Sequence, residues 1–257
     1  MNKPLFSVLC YNINSYDKFR DLDESVINPL AEYVYLTNDK SITSNTWTIK
    51  YIEFNDDEDI WDICSKIRYN PFRFVKSDIC VKMDASLSIN VDLTPMIEKL
   101  INENYEAAVL LPAHRDTLFE EYVCWIENRK YPLEQAKKCL GFLTKQNFDV
   151  FNYHGLYCGG LSIQKNTKMN NDWNRITYSL LKFLSNDKKS CERPNQTISS
   201  FVLNKYFSDT KILPLKSTII SNNEFSWFSH GTDKLITFPH LIKSHLFNKP
   251  CEPYSIL

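Results

Sequence analysis

Between Phe6 and Leu111 the apolar pattern switches repeatedly from the period of a strand to that of a helix and back. That alternation restricts the chain to the α/β class, with a mostly parallel central sheet flanked by helices. Phe6 to Tyr11 reads as a first buried strand, and Tyr33 to Leu36 as a second ending in the turn Thr37-Asn38-Asp39. Thr48 to Phe54 reads as a third. Between Asn55 and Tyr69, residues Ile60, Ile63, Cys64 and Ile67 fall at helical spacing, with Asn55 to Asp59 supplying caps and Asn70-Pro71 the stop. Thr94-Pro95 has the form of an N-cap followed by proline at the first helical position, and Met96, Ile97, Leu100 and Ile101 mark the buried face. Ala107 to Leu111 makes a further strand. From Asp116 to Gln146 the pattern is mostly helical, broken at Tyr131-Pro132, with Phe119, Tyr122 and Trp125 read as core packing. Beyond that point the pattern is less regular.

Within the alternation, Ser77 to Ser86 stands apart. Ile79, Val81 and Met83 alternate with Cys80 and Lys82, and the run ends in Asp84-Ala85-Ser86. In an open α/β sheet ligands bind beyond the carboxyl ends of the strands, which places the Asp84 carboxylate at a candidate site. An ordinary Asp turn has the same appearance.

Thirty Lys and Arg against 31 Asp and Glu give a formal charge of −1, so no global attraction to nucleic acid or anionic lipid is expected, while a local basic groove stays open. The apolar stretch after Met1-Asn2-Lys3-Pro4 is too short and too polar for a signal peptide or a membrane span, so a soluble, cytoplasmic protein is expected, in the host cytoplasm if viral. No linker or low-complexity run interrupts the chain, and 1–257 is read as one domain of two halves, one to about 112 and one from about 113. Cys10, Cys64, Cys80, Cys124, Cys139, Cys158, Cys191 and Cys251 show neither metal-ligand spacing nor a disulfide framework, and read as small core residues.

After Asp84-Ala85-Ser86 come Leu156 to Ile163 with Gly159-Gly160, then Trp173, Asn195-Gln196-Thr197-Ile198 and His230-Gly231. In that order the segments resemble the GT-A fold glycosyltransferases, family 8-like enzymes in particular. Leu9 to Asp17, Tyr33 to Asn38, Lys66 to Pro71, and Ala113-His114-Arg115 with Glu120-Glu121 look most like the family called domain of unknown function 616. The resemblance spans roughly residues 6 to 231. Where the family has Asp-x-Asp this chain has Asp84-Ala85-Ser86, and where Asp-Gln is usual it has Asn195-Gln196, which leaves metal dependence open and removes a proton acceptor.

The resemblance implies transfer of a sugar from a nucleotide sugar, a UDP-sugar first, to a polysaccharide, lipopolysaccharide or protein acceptor, with retention of configuration. Mn²⁺ or Mg²⁺ would be held by Asp84 and His230, with Ser86 as a weak ligand or donor contact. Asn38, Asp39, Lys66, Gly159 and Gly160 would face the donor, Arg68 being a second basic residue near the phosphates. His114, Arg115 and His154 would face the acceptor. Gln196, Asn195 and Glu120 are the candidates nearest the chemistry. Each also has a plain reading, as a turn, a helix-end charge, a solvated face or a structural histidine. Two other functions stay open: a phage-type transferase acting on modified DNA bases, raised by the Asn, Lys and Ile usage of an AT-rich genome, and a GT-A module that binds sugar or a partner without turnover.

Overall fold

The computed structural model describes residues 3–55, 57–112, 115, 117–127, 133–152, 155–185, 194–216, 219, 222–228 and 230–234. Its strands are β1 (Ser7–Asn12), β2 (Glu32–Thr37), β3 (Thr48–Tyr51), β4 (Ile79–Asp84), β5 (Leu87–Ile89), β6 (Ala107–Leu110), β7 (Cys158–Lys165), β8 (Ile212–Leu215) and β9 (Phe225–Trp227). Its helices are α1 (Ile60–Tyr69), α2 (Thr94–Asn102), α3 (Leu118–Glu127), α4 (Leu133–Lys145), α5 (Lys168–Leu184) and α6 (Asn195–Tyr206). Among the described residues seven strands form the central sheet in the order β3-β2-β1-β4-β7-β6-β8, and β5 pairs with β9 apart from it. Neighbours pair in parallel except β7, which runs antiparallel to both β4 and β6. The α/β class and the mostly parallel sheet are those expected from the sequence.

Both faces of the sheet are covered, which is why its strands are apolar almost throughout. On one face Val8, Cys10, Tyr35, Val81, Met83, Leu161 and Ile163 pack with Ile97 and Leu100 of α2 and with Leu87, Ile89 and Phe225 of the small sheet. On the other, Leu9, Val34, Leu36 and Cys80 meet Ile63 and Ile67 of α1. Further along that second face, Ala107 and Val109 meet Leu118 and Tyr122 of α3, Trp173 and Leu181 of α5, and Ile198, Phe201 and Val202 of α6.

Local signals set most of the boundaries. Asp59 caps α1 by accepting from the Trp61 N–H, and α1 ends at Asn70, with Pro71 beginning a short 3-10 turn. The expected cap at Thr94 is displaced: Thr94 is already helical, and Asp92 accepts its N–H at 2.9 Å. The third strand stops at Tyr51, short of the expected Phe54. The break expected at Tyr131-Pro132 lies outside the described residues. Tyr122 is buried as expected, whereas Phe119 is exposed beside Phe151. Cys10, Cys80 and Cys139 are buried, and Cys64, Cys124 and Cys158 are partly covered.

Candidate active site

Strand register brings the loops of interest to one edge of the sheet. Tyr11 at the end of β1 sits beside Asp84 at the end of β4, and Asn12 sits beside Thr37 at the end of β2. Because β7 is antiparallel to β4, its N-terminal end arrives at the same edge: Met83 pairs with Leu161, and the next residues are Asp84 and Gly160. A Cβ added at Gly160 would stand 3.5 Å from the Asp84 Oδ2.

Side-chain alternation then decides what faces the helices. Val81 and Met83 point into the α2-side core, so Lys82 and Asp84 point the other way, and on β7 Leu161 and Ile163 do the same for Ser162 and Gln164. Lys82, Ser162 and Gln164 floor a small open cleft between the sheet and three helices, and Asp84 adjoins it through its bond to Arg68. Arg68 and Tyr69 at the C-terminal end of α1 make one wall. Trp173 and Asn174 of α5 with Asn195, Gln196 and Ser199 of α6 make the other, and Tyr157, Cys158 and Gly159 close the edge. Among the described residues that line it none is acidic, Asp84 lying just behind Arg68.

On the charged side, Arg68 donates from Nη2 to Asp84 Oδ1 at 2.7 Å and from Nε to the Tyr11 hydroxyl at 2.8 Å. Burial works against the guanidinium charge, but Tyr11 and Asp84 outweigh it and raise the Arg68 pKa above its ordinary value. The same surroundings push the Tyr11 phenol up, burial first. Lys82 Nζ donates to the Arg68 carbonyl at 3.1 Å. Burial brings the Lys82 ammonium down to about 7, Arg68 acting in the same direction and Cys80 and Asp84 against it.

The opposite wall is neutral. Gln164 and Asn174, both buried, exchange amide hydrogen bonds of 2.8 and 3.4 Å. Trp173 Nε1 donates to the Ser199 carbonyl at 3.0 Å, fixing α5 against α6. Gln196 Oε1 accepts from the Gly159 N–H at 3.4 Å, while its Nε2 and the Asn195 Oδ1 are buried with no hydrogen-bond partner among the described residues. A polar atom buried without a partner costs about 1–3 kcal/mol, so these two amides are candidates for a ligand contact.

The other sequence candidates fall in several places. Asn38 and Asp39 lie at the same sheet edge, but their polar atoms tie the β1 and β2 exit loops together: Asn38 exchanges bonds of 2.7 and 2.8 Å with Asn14, and Asp39 accepts from Ser15 at 3.0 Å. Asn14 and Ser15 take left-handed φ of 57° and 49° to make that turn. Lys66 turns away and pairs with Asp62 one helical turn back, at 3.0 Å. Glu120 sits in the first turn of α3, where it and Thr117 exchange side-chain to backbone bonds of 3.0 and 3.1 Å as a capping box. Its neighbour Glu121 is the buried one, and it pairs with Arg115. That pair lies close enough to Cys158 to act on its thiol, which burial raises to about 11. His114 and His154 lie outside the described residues.

The residues expected to hold a divalent cation are otherwise engaged. Asp84 is bound to Arg68. The His230 Nδ1 lies 3.0 Å from Asp17 Oδ1, which also accepts from the Gly231 N–H at 3.1 Å. Burial works to raise the Asp17 carboxyl, but His230 and Gly231 outweigh it and hold it below the usual range. Ser86 is 1% exposed, its hydroxyl covered, and among the described residues no three His, Cys, Asp or Glu side chains group as metal ligands. This arrangement does not fit a cation held jointly by Asp84, Ser86 and His230.

Sequence reasoning missed Lys82 as a cleft residue, although the strand's own alternation puts it on the face of Asp84. It also missed Gln164, Asn174 and Ser162. Arg20 was missed as well: it donates to the Ala85 carbonyl at 3.4 Å and stacks on Phe228 with 3.9 Å from guanidinium to ring centre.

No helix among the described residues is long and apolar enough to cross a membrane. No family model matches the chain, the domain of unknown function 616 family included, and no curated protein matches it. Among solved structures the chain is similar to the apo form of mouse xyloside xylosyltransferase 1, with 6% identity and a TM-score of 0.44 over 82% of this chain and 84% of that one.

Proposed function

We propose that the chain is a nucleotide-sugar-dependent glycosyltransferase of the GT-A type, with the cleft between α1, α5 and α6 as its donor site. The observation that carries this reading is convergence. Asp84, Gly159-Gly160 and Gln196 come from three motifs far apart in sequence, and they meet within hydrogen-bonding or contact distance at the carboxyl end of the sheet. A cation-bearing side suits a diphosphate, and an amide-lined side with two unpartnered groups suits sugar hydroxyls.

Transfer would form a bond from the acceptor oxygen to the anomeric carbon and break the bond from that carbon to the phosphate, the electron pair leaving on the phosphate oxygen. Asp84, the carboxylate adjoining the cleft, is held by Arg68, so in this reading the acceptor proton goes to that oxygen as the bond breaks, which calls for acceptor and leaving group on one face of the sugar and so for retention. Gln196 and Asn195 act here by hydrogen bonding alone. A UDP-sugar donor and a glycan or protein acceptor follow from the family resemblance, and the near balance of charge disfavours duplex DNA.

The test is a screen of UDP-, GDP- and ADP-sugars for hydrolysis and for transfer to simple glycosides. Turnover of one donor, lowered in Gln196→Ala, is the expected result. Absence of turnover with every donor, together with sugar-nucleotide binding, would favour the second reading, a binding module, which draws its support from Asn195 and from the engagement of Asp84 by Arg68.

A further inference from the structure

We propose that Arg68 and Lys82, and not a divalent cation, neutralise the donor diphosphate in this chain; the inference rests on the transferase reading and specifies how the leaving group is bound. A guanidinium is a planar fork whose donors have fixed directions. Two sides of the Arg68 fork are committed, Nη2 to Asp84 and Nε to Tyr11, which fixes its plane. The remaining nitrogen, Nη1, has no protein hydrogen-bond partner among the described residues and lies against β7 where a Cβ on Gly159 would stand 3.0 Å away. Gly159 therefore leaves room for Arg68 to lie along the cleft edge, where a diphosphate oxygen can take the free donors.

Lys82 stands behind it on the cleft floor, with one ammonium donor on the Arg68 carbonyl at 3.1 Å and the rest available. The charge arithmetic favours an anion. Asp84 is matched by Arg68, and Lys82, which burial brings down to about 7, takes up its proton as a diphosphate approaches. A divalent cation would have to displace Arg68 from Asp84 and sit beside its guanidinium, with Ser86 covered and His230 bonded to Asp17. In this view Asp84 is a positioning residue that holds the Arg68 fork, and charge-assisted bonds from Arg68 and Lys82 supply what a metal supplies elsewhere.

Calorimetry with UDP and with inorganic pyrophosphate, each in EDTA and in Mn²⁺, tests this on the full chain. Wild type is expected to bind both probes in EDTA, with Mn²⁺ changing the affinity by less than about threefold. Arg68→Lys, which keeps the charge and loses the fork, should weaken UDP about tenfold, and Arg68→Gln or Lys82→Gln more than that. Asp84→Asn should tighten UDP in EDTA, since it removes the charge competing for Arg68. Melting curves check that each variant is folded, and Lys82→Gln carries the test if Arg68→Gln is not. UDP binding only with Mn²⁺ and abolished by Asp84→Asn would overturn the proposal and leave the transferase reading standing. Metal-free binding of both probes, lost in the Arg68 and Lys82 variants but without hydrolysis of any sugar nucleotide, would support the proposal and overturn the transferase reading alone. Failure to bind either probe in any condition would overturn both.

Discussion

The two walls of the cleft differ in chemistry and in origin. The charged side comes from α1 and β4, and its central contact, Arg68 to Asp84, joins residues only 16 apart in sequence. The neutral side comes from β7, α5 and α6, and its groups are amides that bind one another, the backbone, or no partner among the described residues. A cationic wall grips any diphosphate with little discrimination, because charge attraction is weakly dependent on ligand shape. Amides with unpartnered atoms discriminate strongly, since a ligand lacking the matching hydroxyl leaves them buried and unpaired. Affinity and selectivity thus sit on opposite sides of one cleft.

That division can be broken by exchanging which wall is damaged. The largest effect is expected for Arg68→Ala: a loss of about 100-fold in kcat/KM for donor turnover, on the order of 3 kcal/mol, with a rise in donor KM and a weaker dependence on salt. Steady-state kinetics at two ionic strengths checks it, and an unchanged salt dependence would count against the assignment of charge to this wall. Gln196→Ala should cost about tenfold and leave the salt dependence as it was, while narrowing the difference in rate between donors that differ at one hydroxyl. If Gln196→Ala slows every donor alike, selectivity does not reside on the amide wall.

Two smaller effects bear on how the walls are held in place. Trp173→Phe removes the indole donor to the Ser199 carbonyl and should lower stability by about 1 kcal/mol in chemical denaturation, with the larger kinetic change at the amide side. Asp62 ties α1 to α5, accepting from the Tyr178 hydroxyl at 2.9 Å and pairing with Lys66. Burial works to raise its carboxyl, but Lys66, Tyr178 and Lys182 outweigh it and hold it below the usual carboxylate range. A group depressed on folding stabilises above its unfolded value, near 4, and loses that contribution as pH falls through its folded value. Asp62→Asn should therefore cost about 0.5–1 kcal/mol at pH 7, with the gap to wild type closing under acid. A gap independent of pH would assign Asp62 a packing role instead.

Legibility in the sequence follows the same line between the walls. The first four strands and α1 were readable because Phe6 to Asp84 carries clean periods and strong punctuation, such as Asp59 and Asn70-Pro71. The Asp84 edge followed from strand-end logic. Lys82 went unread because a charged residue inside a strand looks like a solvent-facing position, and only the packing of α1 over that face makes it a cleft floor. On the other wall, α5 has the needed signal, with the Thr167 cap and buried Trp173, Thr177, Leu181 and Leu184, but Asn170 and Asn174, buried with them, interrupt its apolar stripe. Glu121 and Glu120 show the limit most directly: adjacent carboxylates on one helix, one buried against Arg115 and one capping the turn, a choice made by tertiary packing and not by residue type.

The antiparallel insertion of β7 between β4 and β6 also governs when the cleft can exist at all. Residues 158–165 must reach the sheet before Asp84 has a neighbour on its β7 side, so the site is assembled by contacts of long sequence separation, which form slowly because a large loop has to close first. Until then β4 presents an open edge whose N–H and C=O groups are unpaired and whose residues are largely apolar, a template for association with other chains. Substitutions that delay β7, at Leu161 or Ile163 for example, should therefore show first as lost soluble yield during synthesis, ahead of any measurable change in the folded protein.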